Sequence, residues 1–283
     1  MENKLLTIRP MKTDEVEIAV EWAAQEGWNP GLNDAACYAK ADPNGFLIGL
    51  LDEEPIATIS AIRYDSTFGF IGFYIVKPEY RGKGYGIQLW NAAMKSLTGC
   101  NVGLDGVVEQ QANYQKSGFQ LAYSNLRYEG VAGGDVQPDA AVVPLSDVPL
   151  DAIEAYDQPF FPVQRTDFLK TWINQPHSHA LGIMENDQLA GYGVIRQCRT
   201  GYKIGPLYAD NAQLAERLFL ALKSRADSSQ PVFLDVPEVN RAAVALAEKY
   251  GMTVSFGTAR MYTQNAPALP LNRLFGVTSF EIG

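Results

Sequence analysis

A pattern of apolar runs and turns occurs twice in this chain. The first copy contains FLIGLLDEEPIATISAIRY at 46–64, and the second contains ALGIMENDQLAGYGVIRQ at 180–197. With a shift of 133 residues and no gap, four pairs of identical residues coincide: Gly49, Ala57, Ile62 and Arg63 with Gly182, Ala190, Ile195 and Arg196. A near-constant shift of this length indicates an internal repeat, so we expect two similar folded units.

The segment between the copies suggests where the units are divided. EGVAGGDVQPDAA at 129–141 is rich in Gly, Pro and Ala and lacks apolar periodicity, which is typical of a linker. We therefore predict a first domain at 1–130, a linker at 131–141 and a second domain at 142–283.

The apolar patterns predict a mixed α/β fold. In the first copy we expect strands at 5–9, 46–51, 55–63, 69–76, 101–105 and 119–128. Helices are expected at 13–25, 33–40, 84–97 and 109–117. Antiparallel hairpins come first and a parallel β-α-β unit follows. Each domain is thus predicted as a twisted, mixed α+β sheet with helices on both faces.

Composition excludes several functional classes. The net charge of −9 and the pI near 4.8 argue against a nucleic-acid partner. No stretch approaches the roughly 20 apolar residues of a membrane helix, and MENKLLTIRP lacks the features of a signal peptide. Cys37, Cys100 and Cys198 have no metal-type spacing, so we expect reduced thiols in a cytoplasmic protein without a metal.

Three glycines alternate in KPEYRGKGYGIQLW at 77–90, between a predicted strand and a predicted helix. Bare amides at Gly82, Gly84 and Gly86 next to a helix N-terminus favour an anionic ligand. The loop does not match the triphosphate motif, which needs Gly-Lys-Ser/Thr. A dinucleotide site fits the preceding strand and Asp105, but the spacing Gly-x-Gly-x-Gly and the two earlier hairpins do not.

The same loop, with YQKSGF at 114–119, resembles the acyl-CoA loop and the later Tyr-x-x-x-Gly-Phe element of the GNAT superfamily of N-acyltransferases. The resemblance covers roughly residues 5–128 and, more faintly, the second copy. It implies acetyl-CoA as co-substrate, no metal, and acetyl transfer to the primary amine of a small molecule by direct attack in a ternary complex. The residues it implies for coenzyme binding are Ile75, Val76, Arg81, Gly82, Lys83, Gly84, Tyr85 and Gly86.

Acyl transfer from a thioester needs a neutral amine, donors for the developing oxyanion and a proton for the leaving thiolate. The resemblance implies that Tyr114 protonates the sulfur and that strand 69–76 supplies backbone donors. That strand carries no acidic residue, so Glu26 is the candidate base. The surrounding loop, EWAAQEGWNPGLND, lies where the family builds its acceptor pocket, and its candidate acceptor-binding residues are Trp28, Asn29 and Asp34.

Both copies depart from the family pattern. In the first, Val107 stands where the family has an Asn that contacts the pantetheine arm of the coenzyme. The second keeps Asn240, but Ala247 replaces the Tyr, and LYADNAQLAERLF lacks glycine and is about four residues shorter. We therefore expect a degenerate, non-catalytic second copy that either walls the acceptor site or forms a homodimer contact.

Two other functions fit parts of the sequence. A non-catalytic acyl-CoA binding or sensing module would keep the loop without needing Tyr114. An NAD(P)-dependent oxidoreductase would use the glycines for a dinucleotide.

Overall fold

The structure is a computed structural model that describes residues 5–283. Residues 1–4, part of the segment for which we predicted no signal peptide, lie outside the described residues. The first half contains β1 (Leu6–Pro10), α1 (Val16–Gln25), α2 (Asp34–Ala41), β2 (Phe46–Leu51), β3 (Glu54–Arg63), β4 (Phe68–Val76), α3 (Tyr85–Ser96), β5 (Asn101–Val107), α4 (Gln111–Lys116) and β6 (Gln120–Val131). The second half contains β7 (Val142–Pro144), α5 (Leu150–Asp157), α6 (Thr166–Trp172), β8 (Ser178–Glu185), β9 (Gln188–Gln197), β10 (Tyr202–Ala209), α7 (Ala212–Lys223), β11 (Pro231–Pro237), α8 (Arg241–Lys249), β12 (Thr253–Tyr262) and β13 (Leu274–Gly276).

The two halves repeat one order of elements. The first half runs from β1 to β6 and the second from β7 to β12 with helices at matching places, and β13 follows as an addition. This order confirms the repeat, and the predicted strand at 46–51 is β2. The predicted helix at 109–117 is shorter than expected, because α4 has six residues and follows a 3₁₀ turn.

All strands join one mixed sheet. Their order across the sheet is β1-β2-β3-β4-β5-β12-β6-β11-β10-β9-β8-β7, with β13 paired to β10. Two neighbouring pairs are parallel, β4 with β5 and β10 with β11, and the other pairs are antiparallel. The mixed sheet predicted from the sequence is thereby confirmed.

The last strand of each half completes the sheet of the other half. β12 pairs with β5, with Tyr262 opposite Gly103, while β6 pairs with β11, with Val131 opposite Pro231. β6 and β12 also pair with each other at the centre. The sheet therefore continues across the predicted domain boundaries. The division into a first domain at 1–130, a linker at 131–141 and a second domain at 142–283 stays a prediction.

Helices cover both faces of the sheet, as predicted. Phe46, Ile48 and Leu50 of β2 pack with α1 and α2, whereas the alternate residues Leu47 and Leu51 pack with α3. Because successive strand side chains point to opposite faces, these two sets define opposite layers. α2 also packs on α6 of the second half.

The parallel strands at the centre of each half separate partway along their length. The ladder between β4 and β5 runs from Phe68–Asn101 to Ile71–Leu104. Beyond it β4 has a bulge, where the register shifts and Phe73 adopts a φ of 48°. The equivalent ladder of β10 and β11 ends at Ile204–Leu234. Each half thus opens a cleft at the same place.

Candidate active site

The cleft of the first half is the mouth of a cavity of about 760 Å³. Residues 71–76 of β4 and residues 104–107 of β5 form two of its walls. Backbone groups on the facing edges of these strands lack a ladder partner beyond Ile71 and Leu104. The cleft can therefore take an extended polar ligand between the strands.

The glycine loop lies beside this cleft, and its glycines serve different purposes. Gly82 and Gly84 have φ values of 74° and 82°, which disfavour other residues, and Gly84 caps the N-terminus of α3. A Cβ built at either position meets no atom within 4 Å. A Cβ at Gly86 would lie 2.6 Å from the Tyr74 hydroxyl, so packing requires glycine there. The loop therefore presents bare backbone at the positive end of a helix.

The cationic and aromatic residues of the loop have partners within the protein. Arg81 donates to the Val76 carbonyl (2.7 Å) and pairs with Glu26. Lys83 lies over the Tyr80 ring at 5.6 Å, and Tyr85 packs edge-on against the same ring. Of the residues predicted to bind the coenzyme, Ile75, Val76, Arg81 and Gly82 line the cavity. The other four, Lys83, Gly84, Tyr85 and Gly86, complete the loop and begin α3.

Tyr114 on α4 lines the same cavity as the cleft residues. Its ring lies 5.6 Å from Trp90 and so close to Gly106 that a Cβ there would fall 2.3 Å from it. Burial raises the pKa of Tyr114 to about 12. The hydroxyl therefore stays protonated at neutral pH, in the form that a proton donor needs.

The structure separates the residues predicted to bind the acceptor. Trp28 lines the cavity and packs against Phe73, with ring centroids 6.4 Å apart. Asn29 instead exchanges two hydrogen bonds with the backbone of Thr200. Asp34 is fully buried and holds Arg196 at 2.8 Å. Neither Asn29 nor Asp34 is among the lining residues, and their acceptor role stays a prediction.

Part of the cavity wall comes from elements that sequence reasoning did not connect with the site. These residues lie on β6, on β12 and in the C-terminal segment (278–283), and they are Arg127, Phe256, Thr258, Phe280 and Glu281. The exchange of β6 and β12 brings Arg127, Phe256 and Thr258 there, and the C-terminal segment brings Phe280 and Glu281. The second half therefore walls the cavity, whereas its predicted homodimer contact stays a prediction.

The equivalent cleft of the second half is filled by the chain itself. β13 pairs with β10 there, with Gly276 opposite Leu207, and Val277 donates to the Asp235 carbonyl of β11 (2.9 Å). Asn240, at the N-cap of α8, donates to the Leu274 carbonyl (2.9 Å). No glycine loop is present, since two residues, 210–211, join β10 to α7.

The structure changes the match of the family asparagine in the first half. The family spacing between this Asn and the Tyr, counted back from Tyr114, predicts Val107 at this position. However, α4 begins at Gln111 and α8 at Arg241, so the counterpart of Asn240 is Gln110, which lines the cavity. The prediction that this segment is shortened is confirmed, because α4 is three residues shorter than α8.

Comparison with protein families gives two matches. Residues 12–119 match a model described as the acetyltransferase (GNAT) family, and residues 153–276 match one described as an acetyltransferase (GNAT) domain. Within residues 5–283, no group of three His, Cys, Asp or Glu side chains is placed to hold a metal ion. No helix in that range is long and apolar enough to cross a membrane.

One relative matches over the whole chain and another over part of it. The "Holothin acyltransferase" of a Pseudoalteromonas strain is 31% identical over 282 residues, which cover 100% of this chain and 96% of that protein. The uncharacterized N-acetyltransferase YitH of Bacillus subtilis is 26% identical over 173 residues, 59% of this chain and 60% of that protein.

Two solved structures share the fold. A Pyrococcus horikoshii protein, provisionally assigned as an acetyltransferase, superposes with a TM-score of 0.83 at 22% identity and covers 100% and 99% of the two chains. A tandem GNAT protein from the clavulanic acid biosynthesis pathway has a TM-score of 0.62 at 12% identity and covers 93% and 100%.

Proposed function

This chain belongs to the GNAT family of acyl-transferring enzymes, and on that premise we propose that it moves an acetyl group from acetyl-CoA to a primary amine of a small molecule. The observation that carries the proposal is the open cleft between β4 and β5 beside the glycine loop. Its counterpart in the second half is closed by β13. The reaction is therefore assigned to the first half.

The pairing of β13 in the second half supports the proposal that the coenzyme lies extended along β4. β13 pairs with Leu207 and Tyr208 of β10, which correspond to Tyr74 and Ile75 through the shift of 133 residues. The pantetheine arm of acetyl-CoA is also an extended chain with amide groups. It is suited to hydrogen-bond along the same edge of β4, with its pyrophosphate at the N-terminus of α3.

The proposed reaction is a direct attack. The neutral amine nitrogen forms a bond to the thioester carbon, and the carbon–sulfur bond breaks as the intermediate collapses. The backbone N–H of Val76, which points away from β3 toward the cleft, would stabilise the negative charge that develops on the carbonyl oxygen, whereas the N–H of Ile75 points toward β3. Tyr114 would supply the proton for the departing sulfur.

Ligand-dependent stabilisation tests the coenzyme. Acetyl-CoA at about 100 times its Kd is expected to stabilise the folded state by about 2.7 kcal/mol. That gain corresponds to a rise in Tm of roughly 5–10 °C for a chain of this size. Thermal unfolding with acetyl-CoA, NAD or NADP measures it. A rise with NAD or NADP and none with acetyl-CoA would favour the oxidoreductase and reject the proposal.

Replacing Tyr114 with Phe separates an enzyme from a binding module. The variant is expected to bind acetyl-CoA normally but to lose about 100-fold in kcat, because a general acid contributes at least about that factor. Release of the CoA thiol is measured with amino acids, polyamines, aminoglycosides and peptide N-termini as acceptors.

Tyr74→Phe is the matched control, since Tyr74 lines the same cavity and burial also raises the pKa of its hydroxyl. It is expected to keep most of the activity. Acetyl-CoA binding without transfer to any amine by the wild-type protein would instead support a sensing module.

A further inference from the structure

We propose that Glu281, in the C-terminal segment, binds the amino group of the acceptor and takes the proton that the nitrogen loses as it attacks. The inference rests on the proposed acetyl transfer. It assigns the base of that reaction to Glu281 of the second half rather than to Glu26, the residue predicted from the sequence.

The C-terminal segment is held firmly at the cavity. The Glu281 backbone carbonyl lies against Gly72 of β4, where a Cβ would approach it to 1.9 Å. Tyr64 donates a hydrogen bond to the Ile282 carbonyl (2.8 Å). Residues 278–283 are all buried. The Glu281 side chain, which is 4% exposed, therefore lines the cavity from a fixed backbone.

The two carboxylate oxygens of Glu281 differ in their contacts. Oε2 accepts hydrogen bonds from the hydroxyls of Ser279 (2.8 Å) and Tyr38 (3.3 Å). Oε1 has no hydrogen-bond partner within residues 5–283. Because the hydroxyls orient the carboxylate without neutralising it, Oε1 can receive a donor from the cavity.

The other acidic side chains of the cavity are already paired. Among the described residues the cavity is lined by Glu26, Asp105 and Glu281. Glu26 forms a salt bridge with Arg81, and Asp105 forms one with Arg260. Glu281 forms no salt bridge with any described residue. Since a guanidinium already holds each of these two carboxylates, neither is open to the amino group of an acceptor.

Two cationic side chains lie within electrostatic range of Glu281, Arg127 and Lys203, and neither forms a salt bridge with it among the described residues. Arg127 of β6 is bound through two hydrogen bonds to Asp235 (2.7 and 2.8 Å). Burial lowers the pKa of Lys203 on β10, and its Nζ has no hydrogen-bond partner among the described residues. Burial raises the pKa of Tyr38 on α2, so its hydroxyl remains a donor.

A buried ion pair between Asp34 and Arg196 lies next to Tyr38. Asp34 binds Arg196 there, and its Oδ2 lies 3.2 Å from the Tyr38 hydroxyl, whose single proton is shared between Asp34 and Glu281. Of the two carboxylates in this buried network, Asp34 is bound to Arg196. Glu281 is therefore the one that can bind an amine from the cavity.

The walls near Glu281 indicate the class of acceptor. Aromatic rings dominate this part of the cavity: Trp28, Phe73, Phe256 and Phe280. Thr258 also lines the cavity, and its hydroxyl is buried without a partner among residues 5–283. This lining fits a primary amine on a flat, largely apolar body with one polar atom for Thr258.

The proton balance is complete with the residues present. The amine nitrogen bonds to the thioester carbon and becomes positively charged, and Glu281 takes one proton from it. The carbon–sulfur bond breaks, and Tyr114 gives its proton to the sulfur. The products are the amide and the CoA thiol, and the proton on Glu281 returns to the Tyr114 phenolate through solvent.

Glu281→Gln and Glu26→Gln test the inference side by side. Gln keeps the size of Glu and an oxygen for the Ser279 and Tyr38 hydroxyls. Thiol release is followed as a function of pH with acetyl-CoA and benzylamine, phenethylamine or tryptamine, with spermidine as an aliphatic comparison. Acetyl-CoA affinity is measured by calorimetry for both variants.

Glu281→Gln is expected to lower kcat/KM by about 100-fold or more. It should also remove the fall in rate at acidic pH, which reports protonation of the base, and leave acetyl-CoA affinity unchanged. Glu26→Gln frees Arg81 and so can change acetyl-CoA affinity, but it is expected to keep the fall in rate at acidic pH, because Glu281 is still present. Full activity with an unchanged pH profile in Glu281→Gln overturns the inference and leaves the proposed function intact.

Two further outcomes are also decisive. If the wild type transfers acetyl to none of these amines, nor to the amino acids, polyamines, aminoglycosides and peptides named above, the proposed function fails and the inference fails with it. If Glu281→Gln does not fold, Glu281→Asp is measured instead. The shorter Asp side chain keeps a carboxylate but places it farther from the amine. A loss of about 10-fold with the acidic fall retained supports the inference, and an unchanged rate overturns it.

Discussion

Replacing Gly84 with Asp is expected to abolish acetyl-CoA binding, while the same change at Gly99 leaves it intact. Gly84 is the N-cap of α3, where the proposed pyrophosphate site lies. A carboxylate about 4 Å from a phosphate charge costs roughly 4 kcal/mol near a protein surface. This corresponds to about a thousandfold loss of affinity.

Gly99 is a close control for this change. It lies beyond the other end of α3, has a φ of 91°, and like Gly84 leaves a new Cβ without any atom within 4 Å. Each variant therefore bears a similar backbone strain of about 1–2 kcal/mol. Calorimetric titration with acetyl-CoA compares them. Wild-type affinity in Gly84→Asp would mean that the coenzyme phosphates bind elsewhere.

Replacing Arg196 with Met is expected to destabilise the folded protein by about 3–5 kcal/mol, because it leaves a buried carboxylate without its cation. Arg196 of β9 is 1% exposed, pairs with Asp34 of α2 at 2.8 Å, and lies over the Trp172 ring at 4.4 Å. This ion pair joins the two halves. Its loss should weaken the whole chain rather than one half.

Urea unfolding followed by circular dichroism measures the effect. The double variant Asp34→Asn, Arg196→Met removes both charges and keeps an oxygen for the Gly31 amide, which Asp34 accepts at 2.7 Å. It is expected to recover part of the lost stability. A loss below about 1 kcal/mol in the single variant, typical of exposed pairs, would contradict a buried role for the pair.

Local patterns were sufficient to predict the elements of the first half. The predicted strand at 46–51 and β2 coincide because an acidic turn follows the apolar run directly. The helix predicted at 84–97 differs by one residue at each end from α3, because glycines precede it. The helix predicted at 109–117 differs more from α4, since the six residues of α4 have a weak helical pattern.

The composition of the cavity wall depended on contacts that a local pattern does not contain. A strand that pairs with the other half has the same alternation of apolar and polar residues as one that pairs within its own half. The sequence of β12 therefore gives no sign that it pairs with β5. Glu281 also stands between Phe280 and Ile282, and an acid in an apolar terminal segment was the available signal. Asp34 looked like a pocket residue because its partner Arg196 lies 162 positions away.

The exchange of β6 and β12 makes the sheet of each half depend on a strand of the other. A protein cut at the linker would expose the edges of β5 and β6, which invite aggregation with other chains. The sheet that carries the cleft and the glycine loop of the first half is therefore complete only with β12 in place, whatever reaction the second half has.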